Sequence, residues 1–243
     1  MIGVYFSILA LIGLLVQPYW VKTYRLRRWQ RQFNLKQHTP VFHELFKSID
    51  GFALSRRARL HHDAMEYTYG EIEFTSFIAL IAMTHPKPTT RFYDLGSGTG
   101  KAVIACAMVF DMQYYCGIER FNALHAQALK QQDALLQRPD YKEQAKKIHF
   151  VHTDFLNADL HQATLIFINA TALFGPTWEQ LNQKISREAP NDAVIITSSK
   201  PLSSDTFTVT HTTKVSMSWG IVEVHINKRY PLQDINTNST RTV

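Results

Sequence analysis

The sequence predicts an α/β fold: a doubly wound, mostly parallel sheet closed by an antiparallel hairpin and preceded by one membrane-spanning helix. Three observations predict it. Strand-like and helix-like segments alternate from Arg91 to Ser198, the pattern of a parallel sheet with helical crossovers. Two β-rich runs, Thr206–Thr213 and Val215–Asn227, then follow with no helix between them, as the strands of a hairpin do. Met1–Val21 carries no charged side chain, and about 20 apolar residues suffice to cross the ~30 Å hydrocarbon layer.

The apolar run has no polar face, with Tyr5 near one end and Tyr19 and Trp20 at the other, where interface aromatics sit. Basic residues follow the run instead of preceding it, and it ends in Gln-Pro-Tyr-Trp, so it reads as an uncleaved anchor. The alternative is a hydrophobic helix packed on the domain. Lys22, Arg25, Arg27, Arg28, Arg31 and Lys36 come next, and the first acid is Glu44. That bias puts residues 22–40, a basic juxtamembrane linker, and the following domain on the cytoplasmic side. It also accounts for the whole net charge of +6, because the remainder holds 20 basic and 20 acidic residues. The high isoelectric point is therefore no strong nucleic-acid signal for the domain. Two cysteines, Cys106 and Cys116, exclude a disulfide scaffold and a cysteine-rich zinc site, and both fall at apolar positions that suit a core.

The domain is expected over 41–230. Pro40–Ser55 reads as a helix with Val41, Phe42, Leu45, Phe46 and Ile49 on one face, and Ser55–Asp63 as a loop. Within that loop His61-His62-Asp63 has no spaced partner cluster and reads as solvated, not metal-binding. Glu71–Met83 reads as a helix stopped by Pro86 and Pro88. Strands are expected at Arg91–Leu95, Gln113–Glu119, Ile148–His152, Leu165–Asn169 and Ala193–Ser198. Helices are expected at Lys101–Phe110, Phe121–Gln137 and Thr177–Arg187, the last with Thr177 and Gln180 spaced as a capping box. Residues 231–243 form a loose polar tail.

The strongest chemical signal is Asp94-Leu-Gly-Ser-Gly-Thr-Gly-Lys101, at a strand end just before a helix. A phosphate-cradling P-loop fails, because Leu95 stands where its first glycine would be and Ala102 follows Lys101. A dinucleotide fingerprint fits poorly, because its third glycine would fall at Lys101. An acid followed by Gly96, Gly98 and Gly100 suits S-adenosyl-L-methionine (SAM), a cationic ligand without phosphate. Asp94 favours the cation, and the glycine amides allow close approach. Glu119 ends the second strand, where an acid can take both ribose hydroxyls, although NAD sites use the same device. Asp154 and Phe155 end the third strand region, where a carboxylate can accept from the adenine amino group and a ring can stack.

With these residues stand Tyr69-Gly-Glu-Ile72, Ile168-Asn169 followed by Phe174-Gly-Pro176, Ser198-Ser-Lys-Pro201 and Ser218-Trp219. Together they resemble the non-SET lysine methyltransferases of the disruptor-of-telomeric-silencing (Dot-one) type, whose fold is a seven-stranded, Rossmann-like class I methyltransferase sheet. The resemblance spans about Tyr67 to Trp219. It implies that Tyr69, Gly70 and Glu71 fold over the cofactor, and that Asp94, Gly96, Ser97, Gly98, Gly100, Lys101, Glu119, Asp154 and Phe155 line it. It also implies that Asn169 sits beside the transferred methyl and that Phe174 helps to wall a lysine channel. The segment from Asn169 to Phe174 is one residue longer than the family's, and Ile221–Val224 stands where tyrosines are expected, so no channel residue is carried over from there. The implied substrate is a protein lysine. The anchor is similar to that of small membrane-bound lysine methyltransferases of the same broad fold.

Methyl transfer from a sulfonium needs alignment, a dry channel and a neutral amine, and no general base has to be named. Asn169 could orient the amine through its carbonyl, or could simply be a turn residue. Two other readings stay open: methylation of a lipid, quinone or other small acceptor near the membrane, and a noncatalytic SAM-binding membrane protein.

Overall fold

The computed structural model describes residues 23–60, 64 and 67–230. The predicted anchor (1–21), the His61-His62-Asp63 segment and the tail (231–243) lie outside the described residues. Among the described residues, no helix is long and apolar enough to cross a membrane. Two compact units divide between Glu44 and Leu45. In the first, residues 23–32 are helical, and α1 (Leu35–Phe46) begins there, so much of the basic linker is helix. The predicted helix over 40–55 is two helices. α1 starts five residues earlier, and α2 (Gly51–Ala58) restarts at Asp50, whose carboxylate accepts from the Ala53 amide at 2.9 Å. α2 runs on through Ala58, so the first four residues of the stretch expected to be a loop are helical.

The second unit contains the sheet. Strands β1 (Arg91–Leu95), β2 (Tyr114–Glu119), β3 (Ile148–His152), β4 (Leu165–Ile168), β5 (Val194–Ser198), β6 (Phe207–Met217) and β7 (Gly220–Arg229) pair in the order β3-β2-β1-β4-β5-β7-β6. The first five are parallel, and β7 is antiparallel to β5 and β6. The predicted parallel sheet and terminal hairpin are both present. The order reverses between β1 and β4, which opens a crevice at their carboxyl ends. α3 (Phe74–Ala82) precedes β1, and between the strands lie α4 (Lys101–Val109), α5 (Asn122–Leu136), α6 (Lys142–Ala145) and α7 (Gly175–Glu188).

Successive side chains of β1 serve opposite faces. Phe92 meets Phe77 of α3 at 6.2 Å between ring centroids, while Tyr93 and Leu95 join a core with Ile166, Ile168 and α7's Trp178, Leu181 and Ile185. Cys106 and Cys116 are buried and unbridged, as core positions should be.

Three boundaries differ from expectation for local reasons. α3 begins at Phe74 because the Glu73 carboxylate caps the Thr75 and Ser76 amides. Residues 71–73 instead run beside β6, with the Glu73 amide donating to Ser216 O and the Ser218 amide to Glu71 O. α7 starts at Gly175 with Pro176 in its first turn, so Thr177 lies inside the helix and no capping box forms. The hairpin turns at Ser218-Trp219, not near Lys214. Val215 and Met217 are buried while Lys214 and Ser216 are exposed, the alternation of a continuing strand.

Candidate active site

The loop after β1 folds back over β2. The Gly96 and Ser97 amides both donate to Ile118 O at 2.9 Å, and the Gly98 amide donates to the Glu119 carboxylate at 2.8 Å. The other Glu119 oxygen accepts from the Phe121 amide at 2.7 Å. Burial raises the Glu119 pKa, and the Phe121, Gly98 and Arg120 amides oppose that rise. Glu119 thus fixes the ends of β1 and β2 against each other with backbone bonds. Gly96 has φ +89°, and a side chain built on it would meet nothing within 4 Å, so its backbone faces open space.

A strap covers the loop. The Tyr69 hydroxyl donates to Glu71 at 2.7 Å and lies 3.1 Å from the Thr99 hydroxyl, and Lys101 Nζ pairs with Glu71 at 2.5 Å. The Tyr69 ring occupies the space over Gly98, where an added Cβ would come within 2.6 Å of Cε2. Gly70 is equally constrained, since a Cβ there would strike the Trp219 ring. Tyr-Gly-Glu is therefore one clasp, joining glycine loop, α4 and hairpin tip.

A cleft opens along the carboxyl ends of β1, β2 and β4. Its wall includes Tyr69, Gly70, Gly96, Glu119, Asp154, Phe155 and Asn169 among the residues singled out in the sequence. Asp94, Ser97, Gly98, Gly100, Lys101, Glu71 and Phe174 are not in that wall. Glu71 and Lys101 act on the clasp. Phe174 is exposed, and its ring carries Lys200 Nζ at 3.8 Å from the centroid. The wall also holds Ser55, Tyr67, Arg120, Phe121, Leu124, Leu156, Leu173 and Thr177, which sequence reasoning missed. Arg120 could have been found as the residue after a strand-end acid. It bonds Tyr67 at 2.7 Å and Asp154 at 3.0 Å, bridging the cleft's outer edge. The other Asp154 oxygen accepts from the Leu156 amide at 2.9 Å, which holds Phe155 in a single 3₁₀ turn.

A second cavity lies on the other side of Tyr69. Phe52, Arg56, Arg59, Thr68, Tyr69, Asn169, Thr171, Ala172 and Trp219 line it. Thr68, Tyr69 and Asn169 belong to both walls. The Asn169 carbonyl accepts from the Ser198 hydroxyl at 2.7 Å and the Thr171 hydroxyl at 3.0 Å, and its Nδ2 donates to Gly70 O at 3.5 Å. Both lone pairs of that carbonyl are thereby used. The amide nitrogen faces Gly70, and the two hydroxyls hold it there.

Asp94 is one unrelieved group of the site, along with the unpaired buried hydroxyls of Ser55 and Ser97. It is buried and accepts no hydrogen bond from a described side chain or amide. Burial, and then repulsion from Glu119, push its carboxyl up to about 8. A carboxyl raised in the folded state binds its proton more tightly there than in the unfolded chain. Its contribution to stability is therefore fully present below the unfolded value near 3.9 and is lost as pH rises toward 8. Thermal unfolding of the protein without added ligand should shift to lower temperature across that interval, and Asp94→Asn should flatten the trend. Parallel slopes for the two proteins would show that Asp94 ionises normally.

A strand-end acid, an open glycine backbone and a second acid holding the loop fit a cationic adenosyl ligand. Asp94 is a buried acid behind that loop, whose raised carboxyl a nearby cation would draw toward its ionised form, and Gly96 offers bare backbone. The fold has solved counterparts. An RNA methyltransferase from Salinibacter ruber in complex with S-adenosyl-L-homocysteine matches at TM-score 0.51 and 19% identity, over 68% of this chain and 97% of the other. A putative methyltransferase, yhhF, from Escherichia coli matches at 0.51 and 15%, over 64% and 85%. These likenesses speak for the fold alone. No curated protein sequence matches. The class that fold, site and family define is the SAM-dependent methyltransferases. Residues 55–233 match the family model described as "Histone methylation protein DOT1", and the chain belongs to that family.

Proposed function

We propose that the protein methylates the side-chain amine of a protein lysine at a membrane surface, with residues 1–21 as its anchor. The observation that carries the reading is the junction of the two cavities at Tyr69 and Asn169. One cavity suits a cofactor and the other an acceptor, and the shared wall is where the two would meet. Family membership points to lysine as the acceptor.

In this reading Glu119 takes the ribose, Asp154 and Phe155 take the adenine, and Gly96 and Asp94 serve the amino-acid end. The bound cofactor supplies an electrophilic methyl on a sulfonium. The chain's residues do the rest by placement. Phe52, Ala172 and Trp219 give the acceptor cavity apolar surface, which favours a neutral lysine amine over its ammonium form. Asn169 is fixed by Ser198 and Thr171 and keeps the inner end of the cavity in register with Gly70. The test is incubation of the protein with methyl-labelled SAM and a host lysate, followed by hydrolysis and lipid extraction. Label in methyl-lysine supports the reading. Label only in lipid or small molecules moves the acceptor to another class, and no transfer at all defeats the enzyme reading.

The anchor rests on the uncharged run and the bases that follow it. The full-length protein should stay in the membrane pellet through high-salt and carbonate washes. Its release into the supernatant would make the attachment peripheral or absent.

A further inference from the structure

Resting on the lysine reading, we propose that Arg56 selects acceptors carrying a carboxylate close to the target lysine. α2 presents Phe52, Arg56 and Arg59 to the acceptor cavity, at the i, i+4, i+7 spacing of one helix face. The same helix buries Ser55, three residues on from Phe52, in the wall of the cofactor cleft. The helix is thereby fixed against the site, and its arginines are part of the cavity wall. Among the described residues, that wall contains two guanidinium groups and neither aspartate nor glutamate. The nearest acid of the clasp, Glu71, is already engaged by Lys101 and Tyr69. Arg56 is exposed and has no ion pair or hydrogen bond within the described residues. Arg57, also exposed, adds to the positive charge of the same turn.

A target lysine enters such a mouth as a cation and meets like charge. An acceptor with further bases around the lysine meets more of it, and like-charge contact works against docking. An acceptor with a carboxylate nearby reverses the sign, because Arg56 can bind that group through a two-pronged, charge-assisted contact. The same carboxylate offsets the arginines as the lysine passes them. Arg56 is thus a specificity residue for acidic-flanked lysines, and strongly basic segments are poor acceptors.

The test uses full-length protein in detergent micelles, SAM, and a peptide library with a central lysine and randomised flanks. Mass spectrometry reads which peptides become methylated. Wild type is expected to enrich Asp and Glu around the methylated lysine, and to prefer an acidic-flanked peptide over a basic-flanked one by about tenfold or more in kcat/KM at low salt. Arg56→Glu should reverse that order with SAM affinity unchanged, and Arg56→Lys should restore part of it. Methylation without flank preference, or a preference that Arg56→Glu leaves intact, overturns the proposal while keeping lysine methylation. If SAM binds but no library lysine is methylated, the lysine reading fails and this inference falls with it.

Discussion

Gly98→Arg is expected to abolish SAM binding. Gly98 has φ +55°, a left-handed backbone that side chains rarely adopt, and any Cβ there would press on the Tyr69 ring at 2.6 Å. Sequence reasoning expects the arginine to fill space kept open for the ligand. The structure gives a stronger reason, because that space belongs to Tyr69. An arginine must push Tyr69 off the loop, breaking its bonds to Glu71 and Thr99 and disturbing the Gly98 amide that Glu119 accepts. Three contacts that shape the cleft fail together. Titration calorimetry with SAM measures the loss, and cooperative thermal unfolding shows that the mutant still folds. Unchanged affinity would mean that the clasp and the loop do not form the cofactor site.

This coupling explains which parts of the site the sequence could reveal. Asp94, the three glycines, Glu119 and Asp154 announce themselves because each sits at a strand end, and the parallel topology carries strand ends to one edge. Tyr69–Glu71 could be recognised only by resemblance, since no periodicity marks a clasp. The pairing that makes it one, Glu71 with Lys101 and Gly70 with Trp219, joins residues 30 and about 150 positions apart. The helix reading of residues 71–73 failed for the same reason. Their hydrogen bonds go to Ser216 and Ser218 on the hairpin, a tertiary partner that outweighs local helical spacing. The last turn of α2 reads as a loop because Arg56, Arg57 and Arg59 look solvated until Asp50 is seen to cap a separate helix there. Two of the charges that disguise it, Arg56 and Arg59, are ones it turns toward the acceptor cavity.

Asn169→Ala is expected to keep most SAM affinity and to lose at least tenfold in methyl transfer, about 1.4 kcal/mol of transition-state stabilisation. Glu119, Asp154 and Phe155 lie in the cleft wall and make no hydrogen bond to Asn169, so the adenosine end should remain intact. Asn169 instead stands where the two cavities meet, tying Gly70 of the clasp to Ser198 at the end of β5 through Thr171 and its own amide. Alanine removes the acceptor of both hydroxyls and the donor to Gly70 O, so the inner end of the acceptor cavity loses its fixed geometry. Ser198→Ala separates the causes, since it leaves the Asn169 amide present but frees one lone pair of its carbonyl. If Asn169 works by being held in place, Ser198→Ala should lower transfer by a smaller factor in the same direction. Measuring SAM affinity and methyl transfer on each protein distinguishes the outcomes. Full activity in Asn169→Ala would reduce the residue to a turn that links β4 to β5, and the methyl would have to be presented to its acceptor elsewhere along the cleft.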